Sequence, residues 1–329
     1  MSRSDRVVMK LQTKIPLEKQ PNNLIDYNSK ILLLGSCFAE NISEKLEYFK
    51  FQNTINPFGI LFHPKAVERL IANAINEKEY SEKDVFFHDE RWHCFDAHSV
   101  LSNTSKEQLL LNLNSNIKLT YKQIHESTHI IITLGTAWVY RFIENNQIVT
   151  NCHKVPQKQF KKEILTVDEI ASSIESIERK IRLVNANVQI IYTVSPVRHL
   201  KNGFVLNQQS KSHLITAIHN FFNHNSEIQN RNSFYFPSYE IMMDELRDYR
   251  FYAEDMLHPN KTAINYIWEK FKQVWISQDA STIIDEVESI QKGLLHKPFN
   301  PNSNSHKQFL KNIESKKAQI HKQFPHIIF

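Results

Sequence analysis

Glycine is unusually rare in this chain: five residues in 329, where an average composition supplies roughly 7%. A chain so poor in glycine keeps it for places where backbone turns sharply or approaches something closely. Gly35 and Gly135 each stop an apolar run, and Gly59 sits in Asn56-Pro57-Phe58-Gly59. Cysteine is also scarce. Cys37, Cys94 and Cys152 are odd in number, far apart and without C-x-x-C spacing, which argues against a disulfide framework and fits a reducing compartment. No run of about 18 apolar residues exists to cross a membrane. No apolar signal core follows Arg3, Asp5, Arg6 and Lys10. The expectation is a soluble, cytoplasmic protein, with Met9 a candidate start. No G-x-G-x-x-G follows a strand and no P-loop occurs, so dinucleotide and nucleotide-triphosphate chemistry are not expected. His93, His98, His153 and His199 match no ligand spacing, so neither metal nor cofactor is expected. Net charge is +5, but bases are interleaved with acids, as in Ser43-Glu44-Lys45-Leu46-Glu47. That is a solvated surface, not a nucleic-acid face.

What is present is alternation. Ile31 to Leu34 is a short apolar run stopped by Gly35, a buried strand. Phe38, Ile42, Leu46 and Phe49 then recur at helical spacing. Pro64 opens a second helix with Val67, Leu70, Ile71, Ala74 and Ile75 on one face. His129 to Leu134 is a second strand, stopped by Gly135-Thr136, and a hairpin through Asn145-Asn146 follows. Thr166 and Glu169 form a capping box ahead of a stripe of Ile170, Ile174, Ile177 and Ile181. Val188 to Val194 is a third strand, ending at Ser195-Pro196. A helix over about 207–223 turns Leu214, Ile215, Ile218 and Phe222 inward. A short strand runs from Ser233 to Phe236. Asn260 caps a helix carrying Ile264, Ile267, Trp268, Phe271 and Trp275.

Strands alternating with helices predict an α/β fold: a three-layer α/β/α sandwich on a parallel sheet. Ligands bind beyond the carboxyl ends of such strands, which places Gly35, Gly135 and Ser195 side by side at one cleft. Residues 1–29 read as an N-terminal extension and 30–280 as the domain. The pattern weakens over about 80–128, which reads as an insertion. Residues 281–329, polar and broken by Pro298 and Pro301, read as a peripheral helical tail.

Two motifs carry chemistry. Gly35-Ser36-Cys37 lies at a strand-to-helix turn, where helix amides favour negative charge. Asp255 stands three residues before His258, a spacing that lets a carboxylate orient an imidazole as a base. The bland alternatives are an N-cap role for Ser36, a small buried hydrophobe at Cys37 and a helix-capping pair at Asp255 and His258.

Six blocks in order resemble the GSCFA family, a bacterial family placed with the SGNH (GDSL-like) hydrolases. They are Gly35-Ser36-Cys37-Phe38-Ala39, Asn56-Pro57-Phe58-Gly59-Ile60, Gly135-Thr136-Ala137-Trp138, Asn151-Cys152-His153-Lys154-Val155-Pro156, Ser195-Pro196-Val197-Arg198-His199 and Asp255-Met256-Leu257-His258-Pro259. The resemblance implies a flavodoxin-like sandwich of SGNH-hydrolase type. It also implies a nucleophile at Cys37 if aligned on the glycine, or at Ser36 if aligned on serine; the glycine register favours Cys37. His258 and Asp255 complete the set. Gly59 matches the glycine that lends an oxyanion amide. The family superfold's oxyanion asparagine is replaced by Ala137, leaving Thr136, Asn56, Asn151 or the Trp138 indole as substitutes. Loss of one such donor typically costs about 3 kcal/mol of transition-state stabilisation.

The implied function is an acyl-ester hydrolase or acyltransferase acting on a small acyl ester or acylated glycan. Asn151, His153, Lys154, Arg198 and Trp138 are the candidate substrate-binding residues. If Cys37 attacks, His258 and the helix N-terminus are expected to lower its pKa. The alternative, motivated by Ala137, is a non-catalytic ligand-binding protein on the same scaffold. Neither nucleic acid nor membrane is an expected partner.

Overall fold

The computed structural model describes residues 13–224 and 232–329; the candidate start at Met9 lies outside them. The chain runs β1 (Lys30–Gly35), α1 (Cys37–Tyr48), β2 (Gln52–Ile55), α2 (Pro64–Ile75), β3 (Phe86–His88), β4 (Arg91–His93), α3 (Lys106–Glu126), β5 (His129–Leu134), β6 (Trp138–Phe142), β7 (Gln147–Val149), β8 (Phe160–Ile164), α4 (Val167–Val184), β9 (Gln189–Val194), α5 (Phe204–His224), β10 (Ser233–Tyr235), the single turn α6 (Ser238–Glu240), α7 (Lys261–Trp275), α8 (Gln278–Leu294) and α9 (Asn304–Gln323).

The central sheet has the order β10-β9-β5-β1-β2 and every pairing is parallel. Alternation of side chains across the strands sends Leu32, Leu34, Ile130, Ile132, Ile190 and Tyr192 to one face. There they meet α2 to α5. Ile31, Leu33, Ile131 and Ile191 face the other way, against α1, α7, α8 and α9. Helices cover both faces, giving the expected α/β/α sandwich. The strands ending at Gly35, Leu134 and Val194 are adjacent, so Gly35, Gly135 and Ser195 do end side by side.

Local signals hold in detail. The Thr166–Glu169 capping box is formed, and Ile170, Ile174, Ile177 and Ile181 are all buried. Fully burying an isoleucine stabilises by about 1.5–3 kcal/mol, so this one stripe anchors α4 firmly. Asn260 caps α7 through its side chain. A second, antiparallel sheet, β7-β6-β8, is the excursion through Asn145-Asn146, whose turn holds Asn146 at φ 58°.

Two regions differ in character from the sequence reading. The stretch 80–128 holds the β3–β4 pair, but also α3, whose Leu109, Leu113, Ile117 and Ile124 belong to the first core. Asn, Ser and Lys on its outer side had diluted the stripe. The terminal segments share the second core. Tyr27 is buried, stacks on Phe51 at 4.4 Å and donates its hydroxyl to Phe49 O. Val287, Ile290, Ile313, Ile320 and Ile327 are buried in the same cluster. No described helix is long and apolar enough to cross a membrane.

Gly35 and Gly203 test how the backbone is held. Gly35 has φ +133°, and a Cβ there would stand 2.1 Å from Thr133 O. Gly203 has φ +84° with nothing within 4 Å. Gly203→Ala should therefore cost only the backbone term, about 1–2 kcal/mol. Gly35→Ala must also displace a neighbouring strand, and should cost more than about 3 kcal/mol or prevent folding. Urea midpoints of the two variants check this, and equal midpoints would contradict it.

Candidate active site

The site begins where β1 leaves the sheet. Ser36 N–H donates to Thr133 O at 3.0 Å and Gly35 O accepts from Leu61, so the turn is pinned on both sides. Ser36 is fully buried and is the N-cap of α1, its Oγ accepting from Phe38 N–H. Its oxygen thereby serves the helix end as an acceptor. Cys37 is the first helical residue, half-buried, and its Sγ lies 3.7 Å from His258 Nε2. The geometry brings Cys37, rather than Ser36, to the histidine.

His258 is held by a compact loop. Tyr252 and Pro259 form a bridge, and Ala253 N–H donates to His258 O at 2.7 Å. Asp255 Oδ1 accepts from the amides of Leu257 and His258. Its Oδ2 meets His258 Nδ1 at 2.6 Å. These bonds to the ionised form pull the Asp255 carboxyl down to about 2. With Nδ1 donating to a carboxylate, Nε2 is left as the acceptor facing sulfur.

Burial and the neighbouring Glu40 carboxylate push the Cys37 thiol above its ordinary range, against the lowering effects of Lys211 and the α1 amides. This corrects the expectation of a depressed thiol. The helix end acts in the expected direction, but desolvation of the thiolate is larger.

The oxyanion candidates also need correction. Gly59 N–H is already donated to Asn56 O at 2.7 Å. The glycine is required instead because a Cβ at its φ of +72° would meet His98 Cβ at 2.5 Å. Thr136 spends its amide on Phe62 O, while its hydroxyl bonds Ser210 and accepts from Trp138 N–H. The Trp138 indole donates to Leu206 O. Asn56 remains. Its Oδ1 accepts from Gly35 N–H at 2.9 Å, tying it to the nucleophile turn. Its buried Nδ2 forms no hydrogen bond of ordinary geometry; burial and then Glu44 raise the Glu40 carboxyl, and Asn56 opposes them.

The five substrate-binding candidates scatter. Asn151 and Trp138 line a cavity of about 310 Å³ beside the strand ends. His153 is buried with both ring nitrogens engaged, at Ser99 Oγ and Cys94 O, a structural role. Lys154 is exposed and faces Asp89 at 3.7 Å. Arg198 braces the catalytic-loop candidate: its amide donates to Leu257 O, its guanidinium to Met256 O, and it lies 4.0 Å over the Tyr252 ring.

Lys211 escaped the sequence reading, and His199 was weighed there only as a metal ligand. Lys211, on α5, is fully buried. Its Nζ donates to Gly135 O and Ser195 O, both at 2.7 Å, and no carboxylate pairs with it among the described residues. Burial lowers it to about 7, opposed by the charge of Cys37. His199 stands edge-on to Phe62 with a buried, unpartnered Nε2. Burial, then the charges of Lys211 and His258, push it down to about 3. The helical stripe through Leu214 and Ile218, continued backward by one turn, reaches Lys211; that was the available signal. Among the described residues no group of three or more His, Cys, Asp or Glu could hold a metal ion.

Comparison with known proteins adds a family. Residues 30–271 match the model of the GSCFA family, and residues 287–329 match that of the GSCFA domain protein, C-terminal domain. No curated protein matches. Among solved structures, the chain is similar to an acetyl xylan esterase (Est2A) from the rumen bacterium Butyrivibrio proteoclasticus, at 11% identity and a TM-score of 0.34. That similarity covers 83% of this chain and 66% of the esterase. With one family model spanning most of its length and a second covering its C-terminal end, the chain belongs to the GSCFA family.

Proposed function

We propose that this protein is an acyl-ester hydrolase or acyltransferase of SGNH type, with Cys37 as nucleophile, His258 as base and Asp255 as the group that orients it. The observation that carries the reading is the line of contacts from Cys37 Sγ to His258 Nε2 at 3.7 Å and from His258 Nδ1 to Asp255 at 2.6 Å. A thiol, an acceptor nitrogen and a carboxylate in this order suit nucleophilic acyl transfer. The substrate class is a small acyl ester, acylated carbohydrates included, with room for its remainder in the cavity of about 310 Å³ that Trp138 and His199 line.

The steps follow from the positions. His258 Nε2 takes the thiol proton as sulfur attacks the carbonyl carbon. The imidazolium is stabilised by Asp255, whose low pKa keeps it ionised throughout. The carbonyl oxygen becomes an oxyanion, received by the Cys37 N–H at the start of α1 and by Asn56 Nδ2. Collapse expels the alkoxide, which takes the proton from His258 and leaves a thioester on Cys37. Water or a second alcohol then attacks, again giving its proton to His258, and the sulfur recovers a proton as the acyl group departs. Because the resting thiol is held high, His258 must act as a true general base. The residue is not a preformed thiolate.

Lys211 supports the same step. A buried ammonium without a carboxylate partner is costly unless an anion forms nearby. Thiolate and oxyanion are the anions this reaction creates, and Cys37 and Lys211 already sense each other's charge.

Two outcomes are expected. On an activated aryl ester, Cys37→Ala and His258→Ala should each lower turnover by about 10³-fold or more with the fold intact. Ser36→Ala should instead cost about 1 kcal/mol of stability through the lost cap, with turnover largely kept. Full stability with abolished turnover in Ser36→Ala would reverse the assignment.

The second outcome is a pH signature. The Lys211 ammonium favours the thiolate, and its proton leaves as pH rises through about 7. Lys211→Met should therefore slow alkylation of Cys37 by iodoacetamide most below pH 7, and the gap from the parent protein should narrow above it. Rates measured from pH 5.5 to 9, at a temperature where the variant is folded, check this. A gap that is constant or widens with pH would contradict it.

A further inference from the structure

The cavity at the strand ends, lined by Trp138 and His199, contains charge that nothing in the acyl-transfer reaction uses. Its wall is β6 and β8, paired so that Tyr140 stands opposite Lys162. Alternation along β8 puts Lys161 and Glu163 on the outer face, where Glu163 binds Arg141 and Lys161. Lys162 is left on the inner face. Its Nζ lies 5.1 Å from the Trp138 ring centroid and 5.6 Å from that of Tyr140, and it donates to Asn202 Oδ1. Lys201 Nζ approaches the same Tyr140 ring at 5.7 Å.

Two ammonium groups thus converge on one aromatic ring. Neither has a carboxylate partner among the described residues, and no Asp or Glu lines the cavity. Aromatic faces attract cations, which holds Lys162 in place but leaves its charge unneutralised. Both histidines of the wall, His63 and His199, are kept neutral by burial, at about 4 and about 3, so the positive charge of the cavity belongs to the lysines. Uncharged donors and acceptors (Thr150, Asn151, Gln157) complete the lining.

We infer that this cavity is a subsite for a doubly charged anion of the phosphate monoester class, carried by the substrate. Its location fits that use. His199 Nε2 and Ser36 Cβ both stand 3.2 Å from the position a Cβ would take at Gly135. The anion subsite therefore begins one side chain away from the nucleophile turn. A phosphoryl group anchored by Lys162 and Lys201 would hold a tethered acyl ester near Cys37. As a statement about the substrate this rests on the acyl-transfer reading; as a statement about anion binding it does not.

The test is binding of inorganic phosphate, with acetate at equal ionic strength as the singly charged comparison, followed by calorimetry on the full chain. Saturable phosphate binding is expected, with acetate at least tenfold weaker. Lys162→Ala/Lys201→Ala should weaken phosphate binding tenfold or more. Lys162→Arg/Lys201→Arg should retain it within a few-fold, which separates lost charge from lost folding. Cys37→Ala should bind as the parent protein does, so a dead nucleophile leaves this result untouched. Absence of saturable binding to the folded parent protein, equal binding of acetate, or unchanged binding in the double alanine variant would overturn the subsite.

Discussion

The site depends on one steric fact: the end of β1 is pressed so tightly against β5 that residue 35 has no room for a side chain. A Cβ on Gly35 would lie 2.1 Å from the Thr133 carbonyl oxygen, and the φ of +133° is one that side chains resist. From that turn the next two residues take opposite roles. Ser36 goes inward and caps α1. Cys37 starts the helix and faces His258. A strand ending one residue earlier or later would exchange them. Asn56 secures the arrangement from the other side by accepting the Gly35 amide.

Around this turn the charges are set against one another. Burial and Glu40 hold the thiol protonated, while Lys211 and the helix amides pull the other way. Lys211 joins the carbonyl ends of two strands, so it is at once a structural tie and a buried cation. His199 stays neutral between Lys211 and His258. Such a site is poorly stabilised at rest, since desolvation works against each ion in it. It is better suited to the moment when a negative charge appears on sulfur or on the carbonyl oxygen.

Much of the framework was legible from spacing alone. Apolar runs stopped by glycine located β1 and β5, and the capping box and isoleucine stripe located α4, because those signals are local. The Asp255–His258 contact was legible for the same reason: three residues span it. The turn at Gly35 was legible in kind, but the choice between Ser36 and Cys37 needed the direction of each side chain. What resisted was non-local. Nothing along the chain says that Arg198 lies on Tyr252. The sign of the Cys37 shift depends on burial by elements far away in sequence. Lys211 looked like one of 40 basic residues; only its place on the buried face of α5 distinguishes it. In α3, a true stripe was masked by the polar residues between its members.

The claim on which the rest turns is that sulfur at position 37 carries the acyl group. The most direct measurement is acid quenching of the protein within the first turnover of an activated aryl ester, followed by peptide mass mapping with and without neutral hydroxylamine. The account predicts one acyl adduct, on the peptide containing Cys37, released by hydroxylamine as a thioester is. A hydroxylamine-resistant adduct on Ser36, or turnover with no adduct on that peptide when deacylation is slow, would contradict it.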